Sequence, residues 1–168
     1  MNDKKMLIVL LGPTAVGKTD LSIELAKDLD TVILSADSRQ FYKEINIGTA
    51  KPTSEQLQQA PHYFIDTISI KDDYDAASYE IDALAILNKL FKKKDAVILT
   101  GGSGLYINAV CSGFDPLPAT APEIREKLNE LLTNKGLEHL ISVLKEKDPE
   151  YYNQVDLKNP QRVIRALE

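Results

Sequence analysis

Eight residues constrain this chain more than any others: Gly12-Pro13-Thr14-Ala15-Val16-Gly17-Lys18-Thr19, directly behind the apolar run 7–11. Their spacing is G-x-x-x-x-G-K-[ST], and the context is the one the motif needs, a strand before and a helix after. The glycines let the backbone curl so that successive N–H groups point inward at phosphate oxygens. The start of the following helix adds the positive end of its dipole. Lys18 is placed to reach an outer phosphate, and the Thr19 hydroxyl to sit on Mg²⁺. A chance match in an ordinary turn is the competing explanation, and the length and placement of the motif argue against it. The loop specifies a phosphate chain with a divalent cation. It specifies neither the compound nor the reaction.

The rest of the first two thirds reads as strands alternating with helices, which predicts a parallel α/β sheet. Residues 7–11 suit a strand buried on both faces. Residues 19–29 carry Leu21, Leu25 and Leu29 at helical spacing, and 31–35 form a second short strand. The polar stretch 38–61 is expected to be irregular or short-helical, and 63–68 a strand. Tyr79, Ala83, Ile86, Leu87, Leu90 and Phe91 make one helical stripe, closed by Lys92, Lys93 and Lys94 as a solvated helix end. Residues 96–100 are a further all-apolar strand. The last third reads as wholly helical. Thr120 heads a capping-box pattern, Gly136 is a stop, and Asp148-Pro149 and Asn159-Pro160 are cap residues followed by proline.

Asp37 follows the second strand, and Gly101-Gly102-Ser103-Gly104 follows the strand at 96–100. Ligand crevices in parallel sheets lie at the carboxyl ends of strands, so both segments are expected beside the phosphate loop. Asp37 could serve there as a metal-water ligand or a general base, or it could be a turn aspartate. The glycines allow close approach of backbone to a ligand, or make a plain strand-to-helix turn. The strand 96–100 ends without an aspartate, where an ordinary nucleotide triphosphatase carries a carboxylate for Mg²⁺; this weakens an ATPase reading.

Composition narrows the class. The apolar and charged fractions are those of a soluble globular protein. The single cysteine, Cys111, excludes an internal disulfide framework and a cysteine-based zinc cluster. The N-terminal apolar run is too short for a signal peptide, and no stretch is long enough to cross a membrane. A cytoplasmic protein is therefore expected. The net charge of −5 runs against a nucleic-acid partner, whose phosphates usually select a basic surface, although charge local to one face can outweigh a global sum.

Six blocks together resemble the tRNA dimethylallyltransferases (tRNA isopentenyltransferases). They are Gly12 to Thr19; Asp37-Ser38-Arg39-Gln40-Phe41-Tyr42; Gly48-Thr49-Ala50-Lys51-Pro52; Pro61-His62-Tyr63 with Ile65-Asp66; Gly101-Gly102-Ser103-Gly104-Leu105-Tyr106; and Gln161-Arg162-Val163-Ile164-Arg165-Ala166-Leu167-Glu168. They occur in the family's order across nearly the whole chain. The resemblance implies a P-loop NTPase-like α/β core, a parallel sheet flanked by helices, over 1–112. It implies a helical region over 113–168, with the family's further C-terminal part absent.

It also implies an activity: transfer of a dimethylallyl group from dimethylallyl diphosphate to the exocyclic N6 amine of the adenine 3′ of the anticodon. In family terms Asp37 matches the general base, and Gly12, Pro13, Thr14, Ala15, Val16, Gly17, Lys18 and Thr19 hold the diphosphate, with Thr19 on Mg²⁺ and itself part of the catalytic set. Asp37, Ser38, Arg39 and Gln40 match one tRNA-contacting loop, and Gln161, Arg162, Val163, Ile164 and Arg165 another. Ser103, where many members have threonine, and Arg125 match two further tRNA contacts. The expected partners are the anticodon stem-loop of tRNA and dimethylallyl diphosphate, with no membrane, and the protein is expected to be a monomer. His62 lies in a matching block without a role, and His139 reads as structural. The alternatives are an isopentenyltransferase acting on free adenine nucleotides, a small-molecule kinase on the same ATP-binding type of loop, and a non-enzymatic nucleotide- or RNA-binding module.

Overall fold

The computed structural model describes residues 4–114 and 121–168, which fall into two compact units dividing between positions 115 and 116. The first unit is built on a parallel four-stranded sheet of order β1-β4-β2-β3. The strands are β1 (Met6–Leu11), β2 (Ile33–Ser35), β3 (His62–Tyr63) and β4 (Ala96–Gly101). Helices α1 (Lys18–Asp28), α2 (Ser54–Gln59), α3 (Ala76–Leu90) and α4 (Gly104–Ser112) complete it. The predicted alternation of strand and helix, and the parallel sheet, are what the structure has.

β4 is central, pairing with β1 from Met6↔Ala96 to Leu11↔Gly101 and with β2 from Ile33↔Ile98 to Ser35↔Thr100. Its Val97, Ile98 and Leu99 are fully buried, as a strand covered on both faces requires. One core cluster packs Val97 and Leu99 with Leu34, Phe41, Tyr79, Ala83 and Leu87. The other packs Ile98 and Ile33 with Ile23 and Ala26 of α1.

Two expectations need correction. The first strand is not buried on both faces, since Met6, Val9 and Leu11 are exposed, Leu11 by 61%. β1 is an edge strand among the described residues, with β4 as its one sheet neighbour there. The expected strand over 63–68 ends after Tyr63. Phe64 (φ 64°) and Asp66 (φ 53°) both adopt left-handed backbone, which cannot continue a pleated ladder.

The helical stripe of α3 is as the spacing predicts, with Tyr79, Ala83 and Leu87 on its buried face. Lys94 at its end does more than sit in solvent: its ammonium lies 2.8 Å from the Asp30 carboxylate after α1. In the polar stretch, α2 starts at a reciprocal capping box of Thr53 with Gln56.

The second unit is helical, as expected: α5 (Pro122–Lys135), α6 (Leu137–Lys147), α7 (Pro149–Tyr152) and α8 (Pro160–Leu167). Gly136 (φ 78°) separates α5 from α6. The Asp148 carboxylate accepts from Tyr151 N–H (2.8 Å), and the Asn159 side chain from Gln161 N–H (3.1 Å) and Arg162 N–H (3.3 Å), so both predicted Asx-Pro starts are present. Thr120, read as a cap, lies outside the described residues, and Ala121 precedes α5 without a side-chain cap. Leu128, Leu140, Leu144, Val163 and Ile164 form the core of this unit. No described helix is long and apolar enough to cross a membrane.

Candidate active site

The phosphate loop leaves the end of β1 and turns into α1. Ala15 (φ 66°) and Gly17 (φ 86°) are both left-handed, and Gly17 is the residue before the first turn of the helix. No side chain caps that turn. Its first N–H groups therefore remain available for an anion. Lys18 folds back, and its ammonium donates to the Pro13 carbonyl at 2.5 Å. The side chain is already curled over the loop, and release of that bond lets it follow a phosphate.

Thr14, Ala15, Gly17, Lys18 and Thr19 line one pocket together with Asp37, Gln40 and His62. The ends of β2 and β4 supply its other wall through Ser35, Thr100, Gly101 and Gly102. This is the carboxyl-end crevice expected of a parallel sheet. Of the predicted loop residues, the Val16 side chain points to solvent (59% exposed) and Pro13 contributes its carbonyl.

Asp37 is held as a turn aspartate and also faces the pocket. Its Oδ1 accepts from Arg39 N–H (3.0 Å), and its carbonyl from Gln40 N–H (3.2 Å). The turn orients the half-buried carboxylate toward the phosphate loop while occupying one of its two oxygens. Phe41 anchors the segment from beneath, fully buried and stacked on Tyr79 at 5.2 Å between centroids. Tyr79 in turn donates its hydroxyl to the Ser35 carbonyl (2.9 Å).

Three residues matched to tRNA contacts carry internal bonds. Gln40 accepts from Ser35 Oγ (2.9 Å) and donates to the carbonyls of Thr49 (3.2 Å) and Ala50 (3.0 Å), tying the 48–52 block to β2. Ser103 Oγ accepts from Ser38 N–H (3.1 Å) and donates to Ser38 Oγ (3.3 Å), joining the two crevice loops. Arg39 is exposed.

The glycines after β4 have different causes. A Cβ at Gly101 would lie 2.3 Å from the Ala36 carbonyl oxygen, so this glycine serves strand packing rather than ligand approach. At Gly102 the nearest atom would be Gly12 O at 3.5 Å, an ordinary contact.

His62 is the pocket residue for which the sequence suggested no role. Its Nδ1 lies 2.8 Å from the Ala60 carbonyl, which can only accept, so Nδ1 carries a proton. Nε2 is buried without a partner among the described residues. Burial pulls its pKa below the usual histidine value, against a smaller opposing effect of the Ala60 bond. The ring is thus favoured neutral, with a lone pair at Nε2.

In the second unit the block 161–165 splits. Gln161, Arg162 and Arg165 are exposed, whereas Val163 and Ile164 are fully buried. Helical periodicity places 163 and 164 on the inward side, so the side chains of these two belong to the core, and Gln161, Arg162 and Arg165 are the members of the block that face outward. The guanidiniums of Arg165 and Arg125 share one carboxylate, that of Glu168.

Residues 40–168 match the model of a protein family described as IPP transferase. The chain belongs to that family. It is 52% identical over 164 residues to "tRNA dimethylallyltransferase 1" of Bacteroides fragilis, covering 98% of this chain and 54% of that one. It is 51% identical to the tRNA dimethylallyltransferase of Cytophaga hutchinsonii, with the same coverage. The chain thus spans about half the length of the curated relatives it matches. A solved tRNA isopentenylpyrophosphate transferase of Bacillus halodurans superposes with a TM-score of 0.64 at 34% identity, over 98% of this chain and 55% of that one. A eukaryotic dimethylallyltransferase acting on tRNA gives 0.79 at 24% identity, over 96% and 40%, a likeness of fold alone.

Proposed function

We propose that this chain carries the diphosphate site and general base of a tRNA dimethylallyltransferase, which alkylates the N6 amine of the adenine 3′ of the anticodon. The observation that carries the reading is the shared pocket: Asp37 lines the same cavity as Lys18 and Thr19. A phosphate chain held by the loop would put its leaving end beside a carboxylate.

The chemistry follows from that placement. The adenine amine is a weak nucleophile, because its lone pair is delocalised into the ring. It attacks the allylic carbon next to the diphosphate oxygen; the new C–N bond forms, the C–O bond breaks, and the electron pair leaves with the diphosphate. The amine proton goes to the Asp37 carboxylate, a general-base step. The charge developing on the diphosphate is met by the loop N–H groups, the α1 dipole and Lys18.

Mg²⁺ fits the donors available. The Thr19 hydroxyl is a hard oxygen ligand, and no cluster of three His, Cys, Asp or Glu residues stands among the described residues. Such an ion takes most of its ligands from diphosphate and water. When bound, it neutralises diphosphate charge. A looped-out adenine is reachable where a base stacked in a stem is not, which favours the anticodon loop as target. On this reading the enzyme works in the cytoplasm as a monomer.

A nucleotide kinase is disfavoured by the missing carboxylate at the end of β4. The test is transfer of labelled dimethylallyl from its diphosphate to an anticodon stem-loop, with an Asp37→Asn control. Label on the adenine that disappears in the control supports the reading. Label transferred equally well by the control removes Asp37 as the base.

A further inference from the structure

Arg125 on α5 and Arg165 on α8 are 40 residues apart in sequence, yet both guanidiniums sit on the carboxylate of Glu168. Oε1 is 2.9 Å from Arg125 Nε, and Oε2 is 2.9 Å from Arg165 Nη1. The Glu168 side chain is 3% exposed, whereas the two arginines are 53% and 54% exposed. The carboxylate is therefore the inner member and the guanidiniums the outer ones.

The two contacts differ in kind. Arg165 donates an aligned hydrogen bond to Oε2. Oε1 is close to Arg125 but has no hydrogen-bond partner. Arg125 is thus held by charge and not by a directed N–H bond. Each guanidinium has five N–H donors, and Glu168 consumes one on Arg165 and none in good geometry on Arg125. The remaining donors belong to two planar forks that one buried anion holds side by side, facing solvent. Two adjacent guanidiniums repel each other unless an anion lies between them, and a phosphate is the anion whose oxygens match such forks.

We propose that Glu168 is a positioning residue, which gathers Arg125 and Arg165 into a single receptor for one backbone phosphate of RNA. The inference rests on the reading of the chain as a tRNA-modifying enzyme. It assigns Glu168 a role in binding and makes the two arginines one unit. It also makes a prediction opposite in sign to simple charge counting. Removing a negative charge beside two arginines should tighten binding to RNA if charge alone mattered. If Glu168 positions the forks, its neutralisation weakens binding.

The experiment is the affinity of an anticodon stem-loop for the chain at several salt concentrations, with Glu168→Gln, Arg125→Ala, Arg165→Ala and the double arginine variant. Melting curves of each check folding. The expected result is a loss of about tenfold for E168Q, the size of one charge-assisted hydrogen bond, with a shallower salt dependence. Each arginine variant loses about as much, and the double variant little more than either. Equal or tighter binding by E168Q overturns the inference, as do arginine effects that multiply. A lower melting temperature with unchanged affinity makes Glu168 a purely structural residue and also overturns it. A wild-type chain that binds no stem-loop refutes the tRNA reading and this inference together, whereas wild-type binding with an indifferent E168Q refutes the inference alone.

Discussion

Gly101→Ala is the smallest change that should damage the active-site crevice. The added methyl would lie 2.3 Å from the Ala36 carbonyl oxygen and 2.5 Å from its carbonyl carbon. Both are backbone atoms of the segment leaving β2, so no side chain can swing away. Either β4 or the 36–37 segment must move. Two hydrogen bonds resist: Ala36 N–H to Thr100 O (2.7 Å) and Ser103 N–H to Ala36 O (3.4 Å). Overpacking a close-packed interior costs about 1–3 kcal/mol, and weakening two such bonds adds up to about 1 kcal/mol. The total is about 1–4 kcal/mol. With a urea slope of about 2 kcal/mol/M, the unfolding midpoint should fall by about 0.5–2 M. Gly102→Ala is the internal control, because its nearest atom would be 3.5 Å away; its midpoint should fall by less than about 0.5 M. Urea titration followed by far-UV circular dichroism reads both. Equal midpoints for G101A and wild type would mean that the strand contact does not constrain the crevice, and the account of this glycine would be wrong.

Asp37→Asn keeps an oxygen for the Arg39 N–H but removes the base; prenyl-diphosphate affinity should stay near wild type while single-turnover transfer falls about 10²–10⁴-fold. Lys18→Ala should weaken prenyl-diphosphate binding in calorimetry by about tenfold or more, the size of a lost charge-assisted contact. Tyr79→Phe leaves the buried Ser35 carbonyl without its hydroxyl donor and should cost about 1–2 kcal/mol in the same urea assay. His62 has a folded-state pKa below its unfolded value, so the unfolded chain binds more protons there. Its contribution to stability is present above the ordinary histidine pKa and is lost as pH falls below it; His62→Gln should flatten the melting temperature against pH in that acid window.

Local chemistry was legible in the sequence wherever a residue type forces a backbone state. Gly12 to Thr19, the stop at Gly136 and the caps at Asp148 and Asn159 all do so, and all are where expected. Asp37 was ambiguous for a physical reason: the same carboxylate closes a turn and lines a cavity, and sequence displays only the turn. What was not legible depends on partners distant in the chain. The exposure of β1 is set by what stands beside it in the sheet. The end of β3 comes from left-handed backbone at Phe64 and Asp66, with no glycine to announce it. The burial of Val163 and Ile164 within the block 161–165 is set by the helices packed against α8. In the Arg125–Glu168–Arg165 cluster the Arg165–Glu168 pair stands at i, i+3, but the Arg125 contact that joins α5 to α8 has no local signal. The amide of Gln40 bonds Ser35, Thr49 and Ala50, a tie between distant segments that sequence does not display.

Whether this pocket is a prenyl-diphosphate site is read by calorimetric titration of the chain with dimethylallyl diphosphate and, separately, with ATP, each with Mg²⁺ and each with and without an anticodon stem-loop. Preference for the prenyl diphosphate, strengthened when the stem-loop is present, is the expected result. Preference for ATP, with no response to RNA, would contradict it and make the pocket that of a phosphoryl-transfer enzyme.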